Sequence, residues 1–408
     1  MKAWKIGLLV LISAGMMMCG ATRDGAAAKP NSPSAVLRHR LAKVLGARDA
    51  VIIDAPDGQT LAAVHADRLL VPASILKILI SLAALHHLGP SYRYPTEFFL
   101  SPHGSLKIKG YGDPLLVSEN LAVIAAHLAQ QIKTVDHLIL DQTYFAQPVE
   151  IPGRRASVEP YDAPNGALCV NFNTVNFKRQ GNQWVSAEPQ TPLLSSVIPK
   201  IKASGLTSGR ILLASNNAES VRYAGELFRY FLNQAGVRTQ GDIVLGAVDP
   251  RVDKLLWRYQ SDQELTRVIG DLLTYSNNFI ANQLLLTMGA RVYGPPATVK
   301  KGLRVLRGYY QSIPGIDPAH IAEASGLSRE NRISARALMR LLKRFQPYHQ
   351  LMRRQGRQWY KTGHLEGVRT RAGYLTAADG GLYRFVVMIN TPGRTPDRVM
   401  RIIERELP

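Results

Sequence analysis

Ser74 and Lys77 stand three residues apart in the run Val71-Pro72-Ala73-Ser74-Ile75-Leu76-Lys77. In a helix that spacing puts both on one face, so the lysine amine can reach the serine hydroxyl. Isoleucine and leucine surround Lys77, and desolvation there disfavours the charged form and makes a neutral amine available as a base for a serine nucleophile. Exposed backbone N–H groups at a helix start would support a developing oxyanion. Taken alone, the pair is also what a helix cap followed by a surface lysine would look like, a coincidence expected roughly once in a chain of this length.

Two further short motifs change that weighing. Tyr275-Ser276-Asn277-Asn278 opens a helix with a hydroxyl at Ser276 and an amide at Asn278, a pair able to relay a proton and hold a carbonyl. Lys361-Thr362-Gly363 precedes a strand and offers a cation and a hydroxyl to a carboxylate, with a glycine that permits close approach of a peptide backbone. Each by itself is an ordinary cap or turn. In this order the trio resembles the signature of penicillin-binding proteins and class A β-lactamases, enzymes that form an acyl-serine.

The elements that must position these groups read as follows. Two β-rich runs between Val51 and Val71 turn at Pro56-Asp57-Gly58 and feed an apolar helical run from Ser74 to Leu88, stopped by Gly89-Pro90. From Tyr94 to Leu213 short strands and turn signals dominate, with one helical run at Glu119 to Ile132. Amphipathic helices return at Ala224 to Gln234, Gln263 to Gly289 and Ala297 to Gln311. Strands at Arg371 to Leu375 and Leu382 to Asn390 follow, turned by Asp379-Gly380. A last helix starts at Thr395-Pro396-Asp397, with Thr395 as hydroxyl cap. Strands at both ends with helices between predict one α/β domain, in segments 34–93 and 214–408, interrupted by a β-rich inserted domain at 94–213.

The 408 residues are 46% hydrophobic and carry 50 Lys+Arg against 30 Asp+Glu, a formal charge of +20. Such a chain is globular, and its charge suits an anionic surrounding: nucleic acid, lipid surface or wall polymer. Met1 to Lys5 is short and basic and Ile6 to Met18 is apolar but short for a membrane span, the build of a signal peptide over 1–21, followed by a flexible leader over 22–33. Export to a periplasmic or extracytoplasmic space argues against nucleic acid as partner. Lipid anchoring at Cys19 is the less favoured alternative, because Met17-Met18 precedes it. Cys169 then has no disulfide partner in the chain and is expected to be a small buried hydrophobe.

The chain resembles the penicillin-binding protein 4 family of D-Ala-D-Ala carboxypeptidases and endopeptidases, over nearly the whole of the mature sequence. The resemblance rests on Pro72-Ala73-Ser74, Gly112-Asp113-Pro114, Leu140-Asp141-Gln142-Thr143-Tyr144-Phe145 and Ala163-Pro164 through Asn171-Phe172-Asn173-Thr174-Val175. It continues in Ser325-Gly326-Leu327-Ser328-Arg329 and in Lys361-Thr362-Gly363 through Ala372-Gly373-Tyr374. It implies a β-lactamase-like transpeptidase domain, an antiparallel sheet flanked by helices plus a helical subdomain, with a large insertion after the serine-lysine motif. It also implies Ser74 as nucleophile, Lys77 as its base, Ser276 and Lys361 as the proton path to the leaving D-Ala, and Asn278 orienting the substrate amide. Lys361 and Thr362 would bind the terminal carboxylate, beside Gly363, and the N–H groups of Ser74 and His364 would form the oxyanion hole. Substrates would be peptidoglycan peptides ending in D-Ala, with β-lactams as covalent inhibitors and no cofactor.

The sequence departs from the family at His364, where serine or threonine is commoner, at Glu323-Ala324, which replaces Asp-Gly, and at Gly166 and Cys169, which replace serines. A further small domain nested in the insertion is expected to be missing. Arg332, Arg336, Arg340 and Arg344 recur every four residues, with Lys343 beside them, and form a basic stripe on a helix. The stripe is expected to be solvated, with peripheral contact to membrane headgroups or anionic wall polymer as the minority alternative. Adjacent His86-His87 point to different sides of their helix and no His-Glu-x-x-His occurs, so no metal site is expected. The rivals to a carboxypeptidase are a homologue that keeps the cleft but has lost turnover, and a β-lactamase or esterase on the same scaffold.

Overall fold

The computed structural model describes residues 33–155, 157–213 and 217–407. The expected signal peptide, Cys19 and all of the leader except Pro33 lie outside these residues.

The two ends of the chain share one six-stranded sheet. Its order is Arg353–Gln355, Gln358–Leu365, Val368–Thr376, Leu382–Ile389, Asp49–Asp54, Thr60–Val64, and every neighbouring pair is antiparallel. Asp49–Asp54 and Leu382–Ile389 occupy the middle, with Val51 opposite Val387. Side chains alternate across a strand, and both faces here are apolar because both are covered. Val51, Ile53, Phe385 and Val387 pack under the terminal helices Pro33–Val44 and Asp397–Glu406 through Leu41, Val399 and Ile403. Ala50, Ile52, Val386 and Met388 pack on the other face, against Leu79, Leu338 and Leu342 of the helices Lys77–Leu88 and Ala335–Phe345.

The helix Lys77–Leu88 is buried from Lys77 through Leu85, as expected of a segment apolar all round. It lies among Leu265–Tyr275, Asn278–Tyr293, Val299–Gln311 and Ala335–Phe345. Thr395 does not cap the last helix. That helix begins at Asp397 after Pro396, and Thr395 Oγ1 donates to Asp397 Oδ2 at 2.8 Å.

The insertion is larger and more helical than the sequence suggests. A five-stranded mixed sheet runs in the order Ile243–Leu245, Leu138–Asp141, Leu106–Gly110, Arg93–Leu100, Lys254–Glu264. The last of these pairs antiparallel with Arg93–Leu100, so the unit closes at Glu264 rather than near Leu213. Helix Asn217–Gln234, expected in the second catalytic segment, belongs to this unit: Val221, Ala224, Leu227, Phe228 and Leu232 are buried with Phe98 and Leu140. An amphipathic pattern shows that a helix has a buried face but not which sheet covers it. A three-stranded sheet, Thr174–Gln180, Gln183–Ser186 and Ser208–Leu212, completes the unit.

Candidate active site

The approach to Ser74 is tied to the sheet before the helix begins. Asn390 Oδ1 accepts from the Val71 amide at 2.9 Å and its Nδ2 donates to the Val71 carbonyl at 3.1 Å. Thr370 Oγ1 donates to the Pro72 carbonyl at 2.7 Å. These anchors hold Ala73 at a φ of 50°, a region unfavourable for a residue with a Cβ, and such strain persists where surrounding contacts over-determine the backbone. A short 3₁₀ turn, Ala73–Leu76, then leads into Lys77–Leu88.

Lys77 is fully buried, and its Nζ has three polar neighbours: Ser74 Oγ at 2.9 Å, Asn278 Oδ1 at 2.7 Å and the Ser325 carbonyl oxygen at 2.7 Å. Burial pushes the amine well below the ordinary lysine range. Lys361 pushes it further down, and Glu323 opposes the shift. A neutral amine in this position donates its two hydrogens to Asn278 and Ser325, and its lone pair faces the Ser74 hydroxyl.

Tyr275-Ser276-Asn277-Asn278 opens a helix as its motif predicts, and it forms an elbow that divides the helical run expected from Gln263 to Gly289 into two helices. Ser276 ends Leu265–Tyr275 in the left-handed conformation (φ 56°, ψ 33°), and the Asn277 side chain caps Asn278–Tyr293 by accepting from Ile280 N at 3.1 Å. The elbow turns Asn278 toward Lys77, so the amide oxygen is already engaged and Nδ2 lies 3.5 Å from the Tyr161 carbonyl. Ser276 Oγ makes no hydrogen bond among the described residues.

Lys361-Thr362-Gly363 lies inside the strand Gln358–Leu365 rather than before one. Lys361 is buried, its Nζ donates to the Thr362 carbonyl at 2.6 Å, and burial lowers its pKa to about 7. Thr362 and His364 are exposed. Desolvation lowers the His364 pKa, as does Arg369, which lies opposite it on the next strand. A Cβ at Gly363 would sit 2.8 Å from the Ser74 amide nitrogen and 2.2 Å from Thr370 Oγ1, so only glycine lets the strand pass this close to the serine. No hydrogen bond joins Lys361 to Ser276 among the described residues.

Sequence reasoning placed no chemistry on Ser325 or Glu323, yet the Ser325 carbonyl meets Lys77. Backbone acceptors leave no trace in residue type. The signal was the Ser325-Gly326 motif, whose glycine (φ 84°) passes so close that a Cβ there would lie 1.9 Å from the Ala73 carbonyl oxygen.

Other expectations resolve simply. Cys169 is a buried free thiol, pushed up to about 12 by burial. His86 and His87 do not diverge: both rings contact Tyr309, with centroids 5.3 and 6.3 Å away. Arg332 precedes the helix Ala335–Phe345, and Arg336 pairs with Asp67, so the four arginines do not form one free stripe.

The site is thus a buried lysine bonded to a serine one turn earlier, beside a glycine-bearing strand of an antiparallel sheet flanked by helices, the arrangement that an acyl-serine enzyme requires. The chain belongs to the D-Ala-D-Ala carboxypeptidase 3 (S13) family, whose model matches residues 35–204 and 201–354. It is 25% identical over 341 aligned residues to a D-alanyl-D-alanine carboxypeptidase of Actinomadura sp. (strain R39), covering 72% of this chain and 63% of that protein. The chain thus spans less than two thirds of that curated relative. Penicillin binding protein 4 of Haemophilus influenzae superposes with a TM-score of 0.70 at 20% identity, covering 88% of this chain and 94% of that one. A predatory peptidoglycan endopeptidase from Bdellovibrio bacteriovorus gives a TM-score of 0.51 at 15% identity, covering 87% and 90%.

Proposed function

We propose that this chain is a serine D-Ala-D-Ala carboxypeptidase, with DD-endopeptidase cleavage as a second use of the same site, acting on peptidoglycan peptides through an acyl-enzyme on Ser74. The observation that carries the reading is the set of contacts around Lys77 Nζ, which leaves a desolvated amine with its lone pair on Ser74 Oγ.

Lys77 takes the Ser74 proton as Oγ attacks the carbonyl carbon of the penultimate D-Ala. The negative charge that develops on the carbonyl oxygen is met by the N–H groups of Ser74 and His364. Collapse of the tetrahedral intermediate breaks the peptide bond, and a proton delivered through Ser276 and Lys361 leaves with the D-Ala amine. Asn278 Nδ2 holds the substrate amide. The terminal carboxylate lies on Thr362 and Lys361, beside Gly363, and its charge favours the protonated form of Lys361. Water then attacks the ester and returns Ser74. A β-lactam follows the same path to an ester that water clears slowly, which makes it a covalent inhibitor.

Export to a periplasmic or extracytoplasmic space belongs to this reading, supported by the basic and then apolar order of Met1 to Met18. No helix among the described residues is long and apolar enough to cross a membrane. Exposed Lys343 and Arg344 would supply peripheral contact with anionic wall polymer.

The test is mass spectrometry of the purified protein after incubation with benzylpenicillin, and separately with a D-Ala-D-Ala peptide and a cross-linked muropeptide. A penicilloyl adduct on Ser74 with release of D-Ala is expected. No adduct and no release would replace the reading with that of a wall-binding protein. Cleavage of the muropeptide alone would reassign the chain as an endopeptidase.

A further inference from the structure

We infer that Glu323 is a positioning residue that fixes the Ser325 carbonyl against Lys77 and thereby aims the amine at Ser74. The inference rests on the reading of Lys77 as the base for Ser74.

Glu323 is fully buried, and its carboxylate lies at the centre of the loop that carries Ser325. Oε2 accepts from the Ser325 amide and the Ser325 hydroxyl, both at 2.6 Å. Oε1 accepts from Gly326 N at 2.7 Å, Asn331 Nδ2 at 2.8 Å and Ser328 N at 3.3 Å. Four of the five partners are N–H groups, which can only donate, so both carboxylate oxygens accept. A buried carboxylate is costly unless hydrogen-bonded, and here the loop backbone supplies the bonds. The amide of Ser325 is thus clamped to Glu323 while its carbonyl receives Lys77 at 2.7 Å.

The loop is also pressed against the nucleophile's own turn, since Gly326 packs on the Ala73 carbonyl. Asn331 braces it from the far side, accepting from Ala322 N at 2.8 Å through Oδ1 while its Nδ2 donates to Glu323. The groups facing Lys77 are therefore Ser74 on the turn that leads into its helix, Asn278 at the elbow, Ser325 and Glu323 on this loop, and Lys361 on the sheet. Glu323 opposes, without cancelling, the downward push of burial and of Lys361 on the Lys77 amine.

The carboxylate also bears on a departure of this sequence. Glu323-Ala324 stands where the family that the chain resembles has Asp-Gly, so the longer side chain reaches the loop donors from a backbone whose next residue lacks glycine's freedom.

The experiment follows acylation of Ser74 by penicillin against pH, in the full-length chain and its E323Q and E323D variants, with thermal melting alongside. Glutamine keeps the shape but turns an amide N–H toward donors and removes the charge. For E323Q the plateau rate should fall on the order of 10²-fold, because the amine is no longer held in line. Its acid limb should move to lower pH by about one unit, because Lys77 loses a nearby anion. E323D keeps the charge and shortens the reach, so its plateau should fall while its midpoint stays.

A role confined to holding the fold would lower melting temperature and labelled fraction together and leave the midpoint of the folded enzyme where it was; that result would overturn the inference. Should E323Q not fold, E323D decides, and a wild-type plateau there overturns it equally. Failure of the unsubstituted chain to label at Ser74 would instead remove the peptidase reading, and this inference with it.

Discussion

The Lys77 amine lies 2.7 Å from the carbonyl oxygen of Ser325, a residue 248 positions away in the chain. That contact and its companion at Asn278 occupy the two N–H bonds of a neutral lysine, so the direction of its lone pair is set before any substrate arrives. Under the proposed reading, pre-organisation of this kind makes the buried amine an aimed base.

Ser74→Ala should abolish covalent labelling by a fluorescent penicillin while leaving the fold intact, because the hydroxyl makes a single bond within the site. The check is gel fluorescence beside a melting curve. Labelling of the alanine variant would take the nucleophile's role away from Ser74.

Lys361→Ala should weaken turnover of a D-Ala-D-Ala peptide far more than it weakens folding. A charge-assisted bond to the terminal carboxylate contributes about 1.5–3 kcal/mol, so kcat/KM should fall roughly 10- to 100-fold. A matched substrate amidated at its C-terminus should lose less, because only the proton path through Ser276 and Lys361 is then impaired. Equal losses on both substrates would show that Lys361 does not read the carboxylate.

The same lysine makes stability depend on pH. Its folded pKa is depressed to about 7, so between there and its ordinary value of 10.5 the unfolded chain binds more protons than the native one. Stability attributable to Lys361 therefore rises with pH across that window. Lys361→Met removes the charge that must be stripped on folding, so at pH 7 it should melt higher than the parent, and its stability should vary less from pH 7 to pH 10. Parallel curves for the two proteins would contradict the depressed pKa.

Gly363→Ala should cost about 1–3 kcal/mol of stability and remove nearly all acylation, since the added methyl would sit 2.8 Å from the Ser74 amide and within 2.2 Å of Thr370 Oγ1. Crystallography of the variant should show the strand displaced from the serine turn. Normal acylation would mean that the strand yields more readily than its close contacts imply.

Phe228→Ala tests the extent of the inserted unit. Phe228 is buried against Phe98, with ring centroids 6.0 Å apart, and truncation should destabilise that unit by about 3–5 kcal/mol. Hydrogen exchange should rise in the strands Arg93–Leu100 and Lys254–Glu264 together, while penicillin still acylates the folded fraction. Loosening confined to residues beyond Glu264 would return the helix Asn217–Gln234 to the catalytic part.

The sequence by itself determined what local geometry controls. The Ser74–Lys77 spacing places two groups on one helix face whatever lies around them, and the strand pattern of Leu382 to Asn390 and the turn at Asp379-Gly380 were legible for the same reason. Three short motifs in order pointed to the wider class of acyl-serine enzymes, and the further motifs from Gly112-Asp113-Pro114 to Ser325-Gly326-Leu327-Ser328-Arg329 pointed to the family. Tertiary structure alone decided which groups surround Lys77, because Asn278 and Ser325 are brought there from 201 and 248 positions away, and one of them acts through a backbone oxygen. It also decided that Ser276 sits in a left-handed elbow and that helix Asn217–Gln234 packs within the inserted unit. Periodicity fixes which face of an element is apolar. The choice of partner for that face, and with it the burial that shifts Lys77 and Lys361, follows from long-range packing that no local pattern encodes.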